Sequence, residues 1–158
     1  MPRFITLDAG PTGISCNDPG KPDVISFHTW VKLCLDDPRT TIILPEIADY
    51  EVRRKLLSLP HAAASIRRLD GLVRPGGPFV YLPISTNAMR RAARLWSEAR
   101  RGGYSTADEK ALDGDVILAA QALEYVGAGD QLFIATGNES DLARHVGERA
   151  QPRESITP

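Results

Sequence analysis

Short apolar runs alternate along the chain with longer stretches in which apolar residues recur at helical spacing. The runs at residues 4–7, 41–44, 79–82 and 131–135 are rich in β-branched and aromatic residues and predict four strands. Strands that alternate with helices favour an α/β domain in which helices cover both faces of a parallel sheet. We therefore expect a three-layer α/β/α sandwich with a central parallel sheet of four to five strands. Helices are predicted near residues 23–35, 45–58, 62–72, 85–101, 113–126 and 140–146, with a short one opened by capping-box spacing at Thr106 and Glu109.

Three local patterns sharpen this picture. Gly and Pro between Ala9 and Gly13 predict a turn directly after the first strand. In the helix at 23–35, the expected apolar stripe consists of Ile25, the residues next to His28, and Leu33 itself. Trp30 lies at the edge of this stripe. Residues 147–158 show no apolar period, so the domain is expected to span 1–146 and to end in a flexible tail.

Composition adds few constraints on function. The 158 residues carry 19 basic and 20 acidic side chains, a net charge of −1, so bulk charge does not draw the protein to nucleic acid or membrane. The two cysteines, Cys16 and Cys34, have no metal-ligand spacing and suit two small buried side chains in a reducing compartment. The N-terminal residues lack a signal-peptide core, and no apolar run is long enough to span a bilayer, so a cytoplasmic protein without membrane contact is expected.

Polar side chains follow the first and last predicted strands, where the crevice of an open parallel sheet lies. Asp8 comes directly after the first strand, and Asn138 and Asp141 follow the fourth. Asp113 and Asp115 open a helix that is apolar nearly all round, which indicates burial. Each of these residues, taken singly, is also explained as a turn or capping residue.

The helix after the second strand offers three further acids, Glu46, Asp49 and Glu51. On a helical wheel, Asp49 shares a face with Val52, while Glu51 flanks Ile47. Spacing alone does not choose among them.

Four segments, in order, resemble the PIN domain family and, within it, the VapC-like ribonucleases. The opening strand ends in Asp8, and residues 44–54 are similar to the second family helix, whose Glu falls on Glu51. The segment 112–120 is similar to the family's Asp-x-x-Ile-Ala-Ala pattern, with its Asp at Asp115. Residues 134–142 are similar to the closing Thr-x-Asp/Asn motif, which begins at Thr136. The resemblance covers residues 3–146.

The resemblance implies a metal-dependent endoribonuclease in which Asp8, Glu51 and Asp115 are catalytic and metal-binding. Three carboxylates in one cleft repel one another by roughly 4 kcal/mol per pair at 4 Å and an effective dielectric near 20, which a divalent cation relieves. Oxygen ligands select Mg²⁺ or Mn²⁺. The sequence departs from the family at Ala9, often Ser or Thr there, and at Asn138, where the fourth acid is expected; Asn138, Asp141 or Asp113 would complete the metal site.

The same resemblance implies the partners. They are RNA as substrate, an antitoxin protein if the chain is a toxin, and a second copy in a homodimer. Thr136 is assigned to substrate binding, and Arg90 and Arg94, on one face of the helix at 85–101, are expected to contact the phosphate backbone. Further basic clusters lie at 53–55 and 67–68. The alternative is a catalytically degenerate PIN-like fold that binds RNA or protein; a flavodoxin- or receiver-like protein would not explain the recurring acids.

Overall fold

The computed structural model describes residues 1–103 and 109–158. Within these ranges, five parallel strands form one sheet in the order β3-β2-β1-β4-β5. The predicted α/β/α sandwich is confirmed, whereas Thr106, the first residue of the predicted capping box, lies outside the described residues. The elements are β1 (Arg3–Leu7), α1 (Ala9–Ser15), α2 (Pro22–Asp36), β2 (Thr40–Pro45), α3 (Glu46–Leu57), α4 (Ala63–Val73), β3 (Val80–Leu82), α5 (Thr86–Arg101), α6 (Glu109–Tyr125), β4 (Gln131–Ala135), α7 (Glu139–Val146) and β5 (Ala150–Gln151).

Alternate side chains of the central strands feed two cores. Ile5 and Leu7 of β1 pack with α2 on one face of the sheet. Leu132 and Ile134 of β4 pack with α6 and α7 on the other face. Because successive side chains of a strand point to opposite faces, one central sheet holds both helical layers.

Helix α1 occupies the segment that was expected to be a turn, and that prediction is wrong. The Asp8 carboxylate accepts the Ala9 backbone N–H at 2.7 Å, and the Asp8 carbonyl accepts the N–H and the hydroxyl of Thr12. Pro11 falls in the first turn, where its missing N–H costs no helical hydrogen bond. A capping side chain therefore starts a helix in spite of the Gly and Pro content.

The buried face of α2 also differs from the predicted stripe. Ile25 and Leu33 are about half exposed, at 53% and 49%. Trp30, placed at the edge of the predicted stripe, is buried and its indole N–H donates to the Ile156 carbonyl at 2.9 Å. The core face consists of Val24, Phe27, Trp30, Val31 and Cys34.

The prediction that residues 147–158 form a flexible tail is wrong. β5 pairs with β4, and the side chain of Ile156 is buried in the core beside α2. Arg153 lies over the rings of Phe27 and Trp30. The tail has no apolar period because it is held by isolated contacts rather than by one helical or strand face.

The buried side chain of Gln121 joins α6 to the start of α3 and to the end of β3. Its amide oxygen accepts the Ile47 N–H at 3.2 Å, and its amide nitrogen donates to the Leu82 carbonyl at 2.8 Å. These bonds satisfy a main-chain N–H in the first turn of α3 and the main-chain carbonyl at the end of β3. They also fix the part of α6 that carries Asp115 relative to the carboxyl edge of the sheet.

Candidate active site

Asp8 stands at the junction of β1 and α1. One carboxylate oxygen accepts the Ala9 N–H, and the other accepts the Thr136 hydroxyl at 2.7 Å. Burial raises the pKa of Asp8, and these two hydrogen bonds oppose the shift because they favour the charged form. Two bonds to two different elements hold this carboxylate in one orientation.

Thr136 connects Asp8 to the last two strands. Its backbone N–H donates to the Gln151 carbonyl of β5 at 3.0 Å, and its hydroxyl accepts the Asn138 N–H at 2.9 Å. The hydroxyl proton is therefore free to be donated to Asp8. The structure gives Thr136 a positioning contact with Asp8, whereas its predicted contact with substrate stays a prediction.

Glu51 lies near Asp8. Burial raises the pKa of Glu51 first, the negative charge of Asp8 raises it further, and the Arg54 guanidinium lowers it. A Cβ at position 114 would collide with the Glu51 carboxylate, so the glycine there lets α3 and α6 approach. Sequence analysis missed this role of Gly114, which only the packing of the two helices reveals.

Asp115 shows the largest effect of the clustered charges. Burial, followed by the charges of Asp8, Asp141 and Glu51, raises its pKa to about 7, while Arg144 opposes the shift. Four carboxylates therefore share one electrostatic environment, and we call Asp8, Glu51, Asp115 and Asp141 the acidic cluster. Strongly perturbed carboxyl groups in a cleft are typical of functional sites.

The structure separates Glu51 from the other acids of α3. A Glu46 carboxylate oxygen accepts the Ile84 N–H at 2.6 Å, which ties α3 to the segment after β3. Asp49 forms a salt bridge with Arg53 at 2.9 Å. Glu51 is the one of the three whose negative charge raises the pKa of Asp115.

The three residues considered for the fourth position of the metal site also differ in their surroundings. Asp113 is exposed and lines a groove between α5 and α6 with apolar residues such as Met89. Asn138 is the N-cap residue of α7 and its side chain makes no capping hydrogen bond. Asp141 raises the pKa of Asp115 and lies 3.4 Å from Arg144. The effect of Asp141 on the pKa of Asp115 therefore favours Asp141 over Asp113 as the fourth residue of the site.

The acidic cluster fits a hard divalent cation by its donor chemistry. Carboxylate oxygens are the preferred ligands of Mg²⁺ and Mn²⁺, and a cation there would offset the negative charges that, after burial, raise the pKa values of Glu51 and Asp115. In the part of the chain that the structure describes, no three Asp, Glu, His or Cys side chains already form a metal-holding group.

Basic side chains border the cluster on α3 and α7. Arg54 and Arg144 act on the pKa values of Glu51 and Asp115, and Lys55 lines a cleft that Glu51 also lines. Sequence spacing could have indicated two of these residues. Arg54 and Lys55 follow Glu51 by three and four residues, so they lie on the same side of the helix as Glu51.

The basic residues predicted on α5 lie elsewhere. Arg94 borders a cleft with Glu124, toward the C-terminal end of α6. The nine residues from Asp115 to Glu124 span about 13 Å of helix, so Arg94 is not placed beside the acidic cluster. Arg90 is exposed one turn away from Arg94. RNA contact by this pair stays a prediction.

No protein-family model and no curated protein sequence matches the chain. Solved structures do match it in fold. A chain of VapBC2 from Rickettsia felis, bound to a promoter DNA fragment, aligns over 94% of this chain and 98% of its own, with 15% identity and a TM-score of 0.69. FitAcB from Neisseria gonorrhoeae aligns over 96% and 99%, with 18% identity and a TM-score of 0.65.

A third similar structure is DNA-bound VapBC from Salmonella typhimurium, with 17% identity, a TM-score of 0.65 and coverage of 97% and 99%. The three matches span nearly the whole of both chains. They confirm, at the level of the fold, the resemblance to VapC-like PIN domains that the four sequence segments indicate. No described helix is long and apolar enough to cross a membrane.

Proposed function

We propose that this protein is a divalent-metal-dependent endoribonuclease that hydrolyses RNA phosphodiester bonds and acts as the toxin of a toxin–antitoxin pair. The observation that carries the proposal is the acidic cluster at the carboxyl edge of the sheet. Residues from the end of β1, from α3 and from α6 are far apart in sequence, yet the charge of Asp8 raises the pKa of Glu51, and both charges raise the pKa of Asp115. Like charges that lie close together destabilise the folded state, and a bound cation would remove this repulsion.

Asp8, Glu51 and Asp115 would hold Mg²⁺ or Mn²⁺, with Asp141 or Asn138 completing the site. The bound ion would supply positive charge for the phosphate and would activate the attacking water. Other residues of the chain orient these ligands and offset their negative charge. Thr136 fixes Asp8 by its hydrogen bond, and Arg54 and Arg144 offset the negative charge that would repel a phosphate.

The partners follow from the fold and the proposed chemistry. Complexes of the VapBC and FitAB type are among the solved structures similar to this chain. An antitoxin protein is therefore a proposed partner here, together with RNA as substrate and a second copy of the chain in a homodimer. We place the protein in the cytoplasm, where the RNA substrate lies.

The proposal is tested by RNA cleavage with Mg²⁺ or Mn²⁺. Asp8→Asn, Glu51→Gln and Asp115→Asn should each lower the cleavage rate by about a hundredfold or more, because each removes a metal-ligand charge. Asp113→Asn is the matched control, since it removes an exposed charge two residues from Asp115, and it should cleave like the wild type. Full activity in Glu51→Gln with loss in Glu46→Gln would refute the assignment on α3.

A catalytically degenerate binding module is the second candidate function. It is favoured by Asn138 at the position of a family acid and by Asp8, whose two oxygens already accept protein hydrogen bonds. Titration with Mn²⁺ separates the two, since a ligand at a hundred times its Kd stabilises the folded state by about 2.7 kcal/mol. A nuclease should show this rise in Tm, and Asp8→Asn should abolish it; a degenerate module should show no rise.

A further inference from the structure

A cleft of about 500 Å³ separates α1 from α3 and shares Glu51 with the acidic cluster. On the α1 side its wall combines the backbone of Gly10 and Gly13, which carry no side chains, with the side chains of Ala9 and Ile14. The floor is apolar, and the polar side chains are Asn17, just after α1, and Glu51 and Lys55 on α3. The lining residues that matter here are Gly10, Gly13, Asn17, Glu51, Val52 and Lys55.

The dimensions and lining suit a flat aromatic ligand with polar edges. Pockets for such ligands hold about 300–1,000 Å³ and combine apolar walls with a few placed polar groups. Val52 and Leu56 offer contact to the face of a ring, while Asn17 supplies both a donor and an acceptor. The Lys55 ammonium would meet a carbonyl or a phosphate oxygen.

The position of the cleft beside the acidic cluster indicates a nucleobase as its ligand. Single-stranded RNA is recognised through bases that are splayed out of the stack and inserted beside protein side chains. A phosphate at the acidic cluster would leave its neighbouring nucleotide within reach of a cleft whose wall includes Glu51. Lys55 lines the cleft, and Arg54 lies close enough to Glu51 to lower its pKa, so these two cations outweigh the Glu51 carboxylate and favour a polyanion over a neutral ligand.

We propose that the α1–α3 cleft binds one unstacked nucleobase adjoining the scissile phosphate and so sets the nucleotide preference at that position. The proposal rests on the proposed ribonuclease function and adds a specificity pocket to it. Gly10 and Gly13 are the determinants on α1, since any larger side chain there would occupy the space of the base. Asn17 and Lys55 read its polar edge.

Gly10→Leu is the test variant. A Cβ at Gly10 meets no atom within 4 Å, and the residue lies in a helix and lines the cleft, so a side chain can be added there without a clash at its Cβ. Gly71→Leu is the matched control, because Gly71 also lies in a helix, also has open space at its Cβ, and lies outside the cleft. Lys55→Gln probes the opposite wall, with exposed Lys32→Gln as its control.

The measurement is the nucleotide frequency on each side of the cut when a random single-stranded RNA pool is cleaved in Mn²⁺. Wild type should favour one base at one adjoining position. Gly10→Leu and Lys55→Gln should weaken that preference and lower kcat/KM on the preferred sequence by about tenfold, while Gly71→Leu and Lys32→Gln should not. Cleavage with an unchanged preference in both cleft variants would overturn the pocket and leave the nuclease standing.

Binding of labelled A, C, G and U tetranucleotides, followed by fluorescence anisotropy, tests the pocket without cleavage. If wild type cleaves no RNA yet binds one tetranucleotide in a manner that Gly10→Leu abolishes, the pocket stands and the nuclease falls. If wild type neither cleaves RNA nor binds any tetranucleotide, both proposals are wrong, and a protein partner becomes the candidate occupant of the cleft.

Discussion

At the scale of single residues, the carboxylates of the acidic cluster differ in the interactions that act on their charge. Asp8 is fixed by two hydrogen bonds that stabilise its charge, whereas Asp115 is surrounded by charges that disfavour its ionisation. Burial raises the pKa of both residues, but the hydrogen bonds oppose the shift at Asp8 and the neighbouring charges add to it at Asp115, so Asp115 gains most from a cation. This difference gives each residue its own measurable signature.

Asp115→Asn should stabilise the metal-free protein. The folded-state pKa of about 7 lies above the ordinary 3.8, so the folded state binds the proton more tightly and loses stability as pH rises between those values. After allowance for partial solvent exposure, the variant should be more stable by about 1–2 kcal/mol at pH 8, and the gap should close toward pH 4. Urea unfolding in EDTA at both pH values measures it.

Asp113→Asn provides the comparison for that experiment, since its carboxylate is exposed. Its free energy of unfolding should follow that of the wild type at both pH values. A gap between Asp115→Asn and wild type that does not vary with pH would show that repulsion at position 115 is absent.

Thr136 is predicted to act through Asp8. Thr136→Val removes the hydroxyl that donates to Asp8 at 2.7 Å, so the pKa of Asp8 should rise further and the acid limb of the pH–rate profile should move to higher pH. Removing such an orienting hydrogen bond typically costs about 10–100-fold in activity. Thr136→Ser keeps the donor and should restore both rate and profile; a Ser variant as impaired as Val would assign Thr136 a packing role.

At the scale of elements, the strands were the easiest to predict and the short segments the hardest. Each of the four predicted strands is a run of β-branched and aromatic residues, which is a local signal. Helix α1 escaped prediction because a single cap at Asp8 outweighs the Gly and Pro that follow. The choice of Glu51 over Glu46 depends on packing between α3 and α6, which no local pattern contains.

The C-terminal segment should contribute strongly to stability. Ile156 is 1% exposed in the core beside α2, so Ile156→Ala should lower the free energy of unfolding by about 2–5 kcal/mol, because it leaves a cavity. The Trp30 hydrogen bond survives this change, since it uses the main-chain carbonyl. Thr157→Ala alters an exposed side chain and should change the free energy little. Urea denaturation of both variants measures the contrast, and equal stabilities would return the segment to the flexible tail predicted from sequence.

At the scale of the whole molecule, a net charge of −1 conceals an uneven distribution. Acidic side chains gather at the carboxyl edge of the sheet, and basic side chains border them on α3 and α7. A polyanion approaching this edge needs the basic border to offset the cluster. Binding should therefore depend on a few local contacts rather than on overall charge.

The salt dependence of RNA binding distinguishes the two basic regions. For single strands, the slope of log K against log salt becomes shallower by about 0.7 for each phosphate that the protein no longer neutralises. Replacing Arg54 and Lys55 with Glu should flatten the slope by about 1.4 units, because both lie beside Glu51. The same replacement at Arg90 and Arg94 should leave the slope near that of wild type, since Arg94 lies toward the far end of α6. Both double variants change the net charge equally, so a slope that flattens only for the α5 pair would move the path of the RNA from α3 to α5.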